Sequence, residues 1–537
     1  MAQTSTQLAT QIVDEILSLG VEHVVLAPGS RSAPLAFALA ARADSGDLTL
    51  HTRIDERTAA FLALGIAKGS HRPAAVVTTS GTAAANLHPA MLEASHAGVP
   101  LIAITADRPA ILRGTGANQT TDQVRLFSDA ATFVDLAADR TDAVVWDAQS
   151  PLHLNVQFSE PLVPLKSASS ATESARSTHT RARSAEGSAR SAEVGPGSRT
   201  VVVAGDDAGR TGRQIGEAGG WPVFAEPSSG SRTGPNAMRT YRLLLQTPLA
   251  DEIERVVVTG HPTLSRPVAR LLARTDVEVI SVRSKGRWPQ RPFPVASEVD
   301  EVTVAGGPTD PNWLDRWREA DCDLAGRIDR YVGALPGLSP YEVAAEVAAS
   351  IPAGGMLWVG ASNPIRDLDL MAPPTRVGEH RMVLANRGLA GIDGTLSSAI
   401  GATIARAPAR AVVYVGDVTF LHDLTALVQG PDEPRPDLTI VVANDNGGSI
   451  FSTLEQGAAE YASSFERLFA TPHGVDLGAL CAAFRIPHWP VDSRAELAHA
   501  LGSAHGGLEV IEATIERGER RRWESDLRDL ALRSPGG

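Results

Sequence analysis

Short apolar segments alternate with helix-like stretches along most of this 537-residue chain, and this alternation limits the possible folds more than any other feature. In a first block the apolar segments are residues 21–28, 48–54, 73–80, 99–106 and 151–158. Two further blocks repeat the pattern, at 199–205, 221–226, 255–260 and 277–282, and then at 355–360, 381–386, 410–416, 437–444 and 507–514. Short β-rich runs that alternate with helices are typical of βαβ units in a parallel sheet. We therefore predict an α/β protein with three doubly wound parallel-sheet domains.

Composition marks the limits of these domains. Residues 166–198 are rich in Ser, Ala and Arg and have almost no large apolar side chains. Such a segment cannot bury a core, so we interpret it as a flexible linker. The predicted domains are then residues 1–165, 199–335 and 336–537, which fits the usual domain size of about 100–200 residues.

The first and third blocks are alike in the order of their elements. Residues 51–69 correspond to 385–405, and residues 74–94 correspond to 411–429. Any two doubly wound domains share part of this order, which leaves open whether the likeness is a true internal repeat. If it is, the two domains are homologous and can face each other across one shared site.

Charge and cysteine content exclude several classes of protein. The chain has 49 basic and 62 acidic side chains, a net charge of −13, which argues against a general nucleic-acid or anionic-membrane binder. Cys322 and Cys481 form no CxxC pair, so we expect no structural zinc or iron–sulfur site.

The N-terminus resembles a capped amphipathic helix rather than a signal peptide, and no apolar run is long enough to span a membrane. We therefore expect a cytoplasmic protein.

Polar motifs follow two neighbouring strands of the third block. Gly416 and Asp417 follow one strand, and the segment from Asn444 to Gly448 follows the next. Because the carboxyl ends of parallel strands meet at one edge, Asp417 and Asp445 can converge on a hard cation such as Mg²⁺. Both motifs are also common turn sequences, so spacing alone leaves a pair of polar loops as the alternative.

An acidic side chain begins a helix of the first block that is otherwise small and apolar. Glu56 lies near the start of residues 53–69, where a partly desolvated carboxylate is suited to sharing a proton. The common alternative is an acid that the helix dipole stabilises, and Asp55 is equally eligible for that role.

Arginines recur beside small residues in loops that follow the predicted strands. Ser30 and Arg31 lie between a strand and a helix, a geometry that suits an anion, and Ser362 and Arg366 would share a helix face. Further motifs of this kind are residues 106–109 and 385–391, and residues 114–119 form a polar motif without an arginine. Arginine binds carboxylates bidentately, so their repetition indicates a ligand with several carboxylates, although any one arginine more often forms a surface salt bridge.

Several common catalytic signatures do not occur in the chain. It has no GxGxxG, GxxxxGK[ST], HExxH or GxSxG motif. The simplest dehydrogenase, NTPase, metalloprotease and α/β-hydrolase interpretations are therefore excluded.

Taken together, the motifs resemble the thiamine diphosphate enzymes, and among them the MenD family. That family comprises the 2-succinyl-5-enolpyruvyl-6-hydroxy-3-cyclohexene-1-carboxylate synthases of menaquinone biosynthesis. The matching segments are residues 27–35, 51–69, 76–94, 105–109, 116–120, 385–401 and 444–451. The resemblance covers nearly the whole chain apart from the linker, and it implies a thiamine diphosphate-binding fold with homologous first and third domains.

The resemblance also implies a role for each matching residue. Glu56 matches the glutamate that hydrogen-bonds N1′ of the aminopyrimidine, and Ile392 matches the bulky residue that holds the cofactor bent. Asp417, Asp445 and the carbonyl of Gly447 match the ligands of Mg²⁺, with Mn²⁺ as the alternative metal. Asp445 stands where the family usually has Asn. The other implied cofactor contacts are Gly416, Gly448 and Ile450, and the implied substrate pocket comprises Ser30, Arg31, Arg108, Asn118, Gln119, Ser362, Arg366, Arg387 and Phe451.

The implied reaction is the decarboxylation of 2-oxoglutarate and the 1,4-addition of the succinyl carbanion equivalent to isochorismate. The resemblance further implies a homodimer or a dimer of dimers with sites at the subunit interface. One rival interpretation is an acetolactate-synthase-like carboligase, which would not need so many arginines. The other is a non-catalytic binding or regulatory protein, which would have no use for a proton relay at Glu56.

Overall fold

The computed structural model describes residues 3–140, 143–164, 190–195, 198–287, 290–306, 310–379, 381–407, 409–503 and 506–533. Within these ranges the strands form three large sheets and one two-stranded sheet, and the strands of each sheet run parallel. Contacts divide the chain into two compact units. The first unit comprises residues 1–186, 388–407 and 423–436, and the second comprises 187–387, 408–422 and 437–537.

The first sheet has six strands in the order β2-β1-β3-β4-β6-β5. Its strands are β1 (His23–Leu26), β2 (Thr49–Thr52), β3 (Ala74–Thr78), β4 (Leu101–Asp107), β5 (Thr132–Leu136) and β6 (Leu152–Gln157). The helices of this part are α1 (Ser5–Ser18), α2 (Ala33–Asp44), α3 (Glu56–Ser70), α4 (Thr82–Ala85) and α5 (His88–Ala97). Helix α1 begins with a capping box between Thr4 and Gln7, which confirms the capped N-terminal helix.

The central sheet has five strands in the order β12-β11-β10-β8-β9, and β7 and β13 pair in a separate two-stranded sheet. The strands are β7 (Ser191–Val194), β8 (Thr200–Ala204), β9 (Val223–Ala225), β10 (Arg255–Thr259), β11 (Glu278–Val282), β12 (Ser297–Val299) and β13 (Glu301–Val304). The helices are α6 (Thr211–Gly219), α7 (Tyr241–Leu244), α8 (Arg266–Leu272) and α9 (Trp313–Val332).

Strand β7 corrects one limit of the predicted linker. Its four residues were expected to belong to the flexible segment 166–198, but they form a ladder with β13. Only Val194 of β7 is buried, so the composition of this short stretch carries almost no strand signal. Residues 166–189 and 196–197 of the predicted linker lie outside the described residues.

The third sheet has six strands in the order β15-β14-β16-β17-β19-β18. They are β14 (Met356–Val359), β15 (Met382–Leu384), β16 (Ala411–Gly416), β17 (Leu438–Asn444), β18 (His488–Val491) and β19 (Leu508–Thr514). The helices are α10 (Pro340–Ser350), α11 (Asn363–Met371), α12 (Thr395–Ala405), α13 (Asp417–His422), α14 (Ala462–Phe465), α15 (Leu477–Ala483), α16 (Arg494–Gly502) and α17 (Arg520–Leu532). Counted from its own first strand, this order is the same as that of the first sheet, which confirms that the first and third domains are alike.

Helices α3 and α12 pack together inside the first unit. A Cβ atom at Gly65 would overlap the backbone of Ser398, and one at Gly401 would overlap the backbone of Leu62. The two helices therefore meet backbone to backbone at glycines, and nearly every residue of α3 after its first turn is buried. This contact holds the middle of α3, the helix that begins at Glu56. Among the residues that the structure covers, no helix is long and apolar enough to cross a membrane.

Candidate cofactor and substrate site

Asp55, rather than Glu56, caps helix α3. One carboxylate oxygen of Asp55 accepts hydrogen bonds from the backbone N–H groups of Arg57 at 2.9 Å and Thr58 at 3.2 Å. Its other oxygen accepts from the hydroxyl of Thr425 at 3.0 Å. The helix-capping role that the sequence left open between the two acids therefore belongs to Asp55.

Glu56 lies at the first helical position and is half-buried. One of its oxygens accepts a hydrogen bond from the side-chain amide of Asn86 at 3.3 Å. Ile54, two residues earlier, is 71% exposed. The Glu56 carboxylate is thus only partly enclosed and stays accessible to a ligand.

The first unit brings together two of the predicted substrate residues through Ser80. The Arg108 guanidinium donates to the Ser80 hydroxyl at 3.0 Å and to the Gln119 carbonyl at 2.8 Å. The Gln119 amide in turn donates to the Ser80 carbonyl at 3.0 Å. Burial, and then the charge of Arg108, lower the pKa of Arg31. Ser80 was not singled out from the sequence, although it lies in the small-residue loop after β3.

A buried polar network supports the backbone at Arg108. Asp107 is fully buried and accepts a hydrogen bond from the Arg108 backbone N–H at 2.7 Å. Its other oxygen accepts from Asn155 at 3.0 Å and from Arg113 at 3.1 Å. The sequence-predicted residues Ser30 and Asn118 are exposed in the same unit.

The second unit holds the candidate metal residues. Asp417 begins α13 and is 2% exposed. One of its oxygens accepts hydrogen bonds from the backbone N–H of Gly447 at 2.7 Å and from Nε2 of His473 at 3.0 Å. His473, whose Nδ1 accepts from Val475, was not predicted from the sequence. The loops after β16 and β17 therefore meet at Asp417, as the strand-end argument predicts.

Asp445 provides the observation that tests a cation site. Its Oδ1 atom is buried and has no hydrogen-bond partner among the described residues. Burial, and then the carboxylate of Asp417, raise the pKa of Asp445 to about 7. A cation would satisfy the orphaned oxygen and offset the two like charges, so Asp417, Asp445 and the Gly447 carbonyl fit Mg²⁺, which prefers hard oxygen donors. Within the described ranges, no group of three or more His, Cys, Asp or Glu side chains is arranged to hold a metal.

Position 447 requires glycine, both for its backbone conformation and because no side chain would fit there. Its φ is +146°, and an added Cβ would lie 2.7 Å from the Arg517 guanidinium. The next residue, Gly448, donates its N–H to the carbonyl of Ala470 at 2.7 Å. The loop after β17 is thus closely packed, and it carries the half-buried Ile450 and Phe451, which were predicted as apolar contacts. Gly416, the last residue of β16, has open space where a Cβ would be.

Two predicted substrate arginines, Arg366 and Arg387, are largely buried in the second unit and repel each other electrostatically. Arg387 is 3% exposed and donates to the Thr263 hydroxyl at 2.8 Å. Arg366 donates to the carbonyl of Ser362, a residue with φ +71°, at 2.6 Å. Burial, and then the charges of Arg387 and Arg242, lower the pKa of Arg366 to about 10. Neighbouring cations away from water form a place that suits an anion.

Ile392 lies in the first unit, in the loop that leads into α12. It is half-buried, and its carbonyl accepts a hydrogen bond from the Thr395 hydroxyl at 2.9 Å. The predicted site residues are therefore distributed over both units. Glu56, Ile392 and one arginine pair lie in the first, and the carboxylate pair and the other arginine pair lie in the second.

Comparisons with known proteins identify relatives over nearly the whole chain. Residues 6–126 match the N-terminal TPP binding domain of thiamine pyrophosphate enzymes, and residues 371–513 match the C-terminal TPP binding domain. A protein of Nocardioides sp. is 55% identical, with 98% of each chain covered. Proteins of Kineococcus radiotolerans and Saccharopolyspora erythraea are 46% and 43% identical, with 96% of this chain covered in both cases and 96% and 97% of their own chains. All three are named 2-succinyl-5-enolpyruvyl-6-hydroxy-3-cyclohexene-1-carboxylate synthase, and this chain belongs to the same family of thiamine diphosphate enzymes.

Proposed function

We propose that the protein decarboxylates 2-oxoglutarate and adds the succinyl unit to isochorismate, with thiamine diphosphate and Mg²⁺ as cofactors and with release of CO₂. The product would be 2-succinyl-5-enolpyruvyl-6-hydroxy-3-cyclohexene-1-carboxylate, an intermediate of menaquinone biosynthesis. The observation that carries this proposal is the 55% identity over 98% of both chains to a relative of that name. The geometry of the two units supports it.

The proposed roles of the acidic residues follow from their surroundings. Thiamine diphosphate supplies an electron sink for the carbanion, while the protein positions the reacting groups. Glu56, which helix capping does not occupy, would hold N1′ of the aminopyrimidine and share a proton with it. Asp417, Asp445 and the Gly447 carbonyl would hold Mg²⁺ against the diphosphate, and the orphaned oxygen of Asp445 supports this assignment.

The arginines favour dicarboxylate substrates over small 2-oxo acids. Arg31 and Arg108 interact in the first unit, and Arg366 and Arg387 interact in the second. Each pair places like charges close together, and a bound carboxylate would remove that repulsion. Pyruvate has a single carboxylate, so an acetolactate-like reaction would leave most of these cations without a ligand.

We further propose a homo-oligomer in which the pyrimidine-binding residues of one subunit face the diphosphate-binding residues of a partner. The distribution of the predicted residues over two compact units supports this arrangement. Ile54, exposed beside Glu56, is apolar surface that a partner subunit would cover. A two-fold dimer would then form two identical sites.

The test is a product assay on the purified full chain with thiamine diphosphate and Mg²⁺. With 2-oxoglutarate and isochorismate we expect CO₂ and the succinylated product, and without the cofactor we expect neither. Pyruvate in place of 2-oxoglutarate should release little CO₂. A preference for pyruvate would favour the carboligase alternative, and no CO₂ from either acid would favour a non-catalytic protein.

A further inference from the structure

A buried glutamate with no role in the proposed reaction joins two segments of the first unit. Glu93 lies in α5 and is 4% exposed. Its carboxylate accepts hydrogen bonds from the backbone N–H groups of Gly388 at 2.8 Å and Leu389 at 2.7 Å. These donors are 295 and 296 residues away in sequence, so the contact ties α5 to the loop before α12. A buried carboxylate is costly unless it is paired or hydrogen-bonded, and here both oxygens accept from the same loop.

The loop also contacts α5 through its backbone. An added Cβ at Gly388 would lie 2.7 Å from the carbonyl of Glu93 and 3.0 Å from the backbone nitrogen of Ala97. These distances are shorter than ordinary contacts, so the start of the loop lies directly against the helix. The two hydrogen bonds to Glu93 therefore act on a segment that has little room to shift.

The other end of the loop is held as well. Gly394 has φ +54°, and an added Cβ there would overlap the ring of Phe61 in α3. The hydroxyl of Thr395 donates to the carbonyl of Ile392 at 2.9 Å. Between these two points the chain passes through Ala390, whose φ of +57° is uncommon for a residue with a side chain. Ile392 thus lies in a short loop that is fixed at both ends.

We propose that Glu93 is a positioning residue, which holds the loop 388–394 so that Ile392 meets the cofactor at a fixed place. This inference rests on the proposed function, because the contact of Ile392 with thiamine diphosphate belongs to it. Hydrogen bonds to an ionised acceptor are roughly twice as strong as neutral ones. A glutamine at this position would offer one acceptor oxygen, and its amide N–H groups would face the second backbone donor.

The first measurement uses the cofactor-free full chain. Hydrogen–deuterium exchange is followed in the peptide that spans 388–394, in the wild type and in Glu93→Gln. We expect exchange at Gly388 and Leu389 to rise by about tenfold when the charged acceptor is lost. Glu22→Gln is the matched control, since Glu22 is exposed and pairs with Arg72 at the surface of the same unit. Unchanged exchange in Glu93→Gln would overturn the proposal.

The second measurement is a double-mutant cycle on cofactor affinity, determined by calorimetry with Mg²⁺ present. Glu93→Gln should weaken thiamine diphosphate binding by about tenfold, as is typical when a supporting partner is lost. In the Ile392→Ala background, Glu93→Gln should weaken thiamine diphosphate binding by less than about threefold, because the side chain that Glu93 positions is already truncated. Equal losses in both backgrounds would show a merely structural role and overturn the proposal.

Two further outcomes keep the test decisive. If Glu93→Gln does not fold, Glu93→Asp takes its place in the same cycle, since it keeps the charge and shortens the reach by one methylene. If the wild type does not bind thiamine diphosphate, the proposed function fails and this inference falls with it. If the wild type binds but the cycle shows no coupling to Ile392, only the role of Glu93 is contradicted.

Discussion

At the scale of single residues, two adjacent carboxylates at the start of α3 divide two roles. Asp55 accepts from two backbone N–H groups of the first turn and from Thr425, so its oxygens are used within the protein. Among the described residues, Glu56 accepts a long hydrogen bond, at 3.3 Å, from Asn86. The local geometry thus leaves Glu56 as the acid that can act on a ligand.

We predict that Glu56→Gln lowers turnover by about 10²–10⁴-fold while thiamine diphosphate affinity stays within about threefold of the wild type. Glutamine can still hydrogen-bond N1′, but it cannot share the proton. Steady-state rates and calorimetry measure the two quantities. The matched control is Asp55→Asn, which keeps a good helix cap and should keep most of the activity. Near-normal turnover in Glu56→Gln would remove Glu56 from the proposed role.

A second prediction concerns the carboxylate pair. Asp417→Asn should weaken Mg²⁺-dependent thiamine diphosphate binding by about tenfold or more, because the cation would lose an anionic ligand. Asp445→Asn should have a smaller effect, because the family usually has Asn there. Calorimetric titrations with and without Mg²⁺ separate the metal-dependent part of the affinity. If Asp417→Asn binds the cofactor like the wild type, the metal assignment is wrong.

Sequence and structure differ in how much of the site each reveals. Glu56 and Asp417 could be predicted because they stand in local motifs at the ends of strands and helices. His473 could not, since it is 56 residues from Asp417 and meets it only through the fold. Glu93 likewise reaches Gly388 across 295 residues, and no recognised motif in its helix singles it out. The catalytic and ligand-binding roles themselves stay predictions.

At the scale of elements, the contact between α3 and α12 depends on the absence of side chains. We predict that Gly65→Ala destabilises the protein by about 3 kcal/mol or more, because a methyl group there would overlap the Ser398 backbone and force the helices apart. Denaturant unfolding measures the loss. The control is Gly326→Ala in α9, where an added Cβ has only the Arg330 side chain nearby, at 3.7 Å. That change should be neutral or stabilise by up to about 1 kcal/mol. Equal effects of the two changes would contradict the close packing.

A salt bridge of the first unit gives a pH-dependent prediction. Burial alone would raise the pKa of Glu433, but its contacts with His51, Thr52 and Arg53 outweigh burial and lower the pKa to about 2. The carboxylate therefore contributes stability above the unfolded-state pKa of about 4.3, and this contribution is lost as the pH falls toward 2. Glu433→Gln should cost about 2 kcal/mol at pH 7. In unfolding experiments, the difference in unfolding free energy between Glu433→Gln and the wild type should shrink as the pH falls from 4.5 to 3. A difference that stays constant over this range would contradict the ionic contribution.

The strands that sequence could and could not predict differ in burial. The central strands β4 and β17 of the two six-stranded sheets are mostly apolar and almost fully buried. In these two sheets the sequence missed one strand each, β5 and β18, which occupy the same edge position. Each has only one fully buried residue, and β18 contains Pro490. An edge strand that faces solvent needs no apolar run, so a search for apolar runs misses it in both sheets.

At the scale of the whole molecule, the shared strand order confirms the repeat that the sequence suggested. The grouping of 388–407 with the first unit could not have been predicted. It depends on helix contacts at glycines that are far apart in sequence, and an apolar helix pattern does not reveal which neighbour it packs against. The exact limits of the predicted domains stay predictions.

The subunit arrangement is tested by mixing two inactive variants under conditions that exchange subunits. Glu56→Gln, and Asp417→Asn assayed at a thiamine diphosphate concentration well below its own Kd, should each be nearly inactive alone. In a mixed dimer with shared sites, one site carries both changes and the other carries neither. Random exchange should therefore restore about a quarter of the wild-type activity. Mass spectrometry of differently labelled chains verifies that exchange occurs. If mixed dimers form and no activity returns, each site is made within one chain.

Arg366 and Arg387 hold like charges in a largely buried place, and burial together with this repulsion lowers the pKa of Arg366. A dicarboxylate bound there, as proposed above, would remove the repulsion, and any ligand that binds only the native state raises its stability. Metabolite supply would then govern how long each molecule survives. Cells short of substrate would hold a less stable protein that chaperones and proteases remove sooner, so enzyme abundance would follow substrate supply even at a constant rate of synthesis.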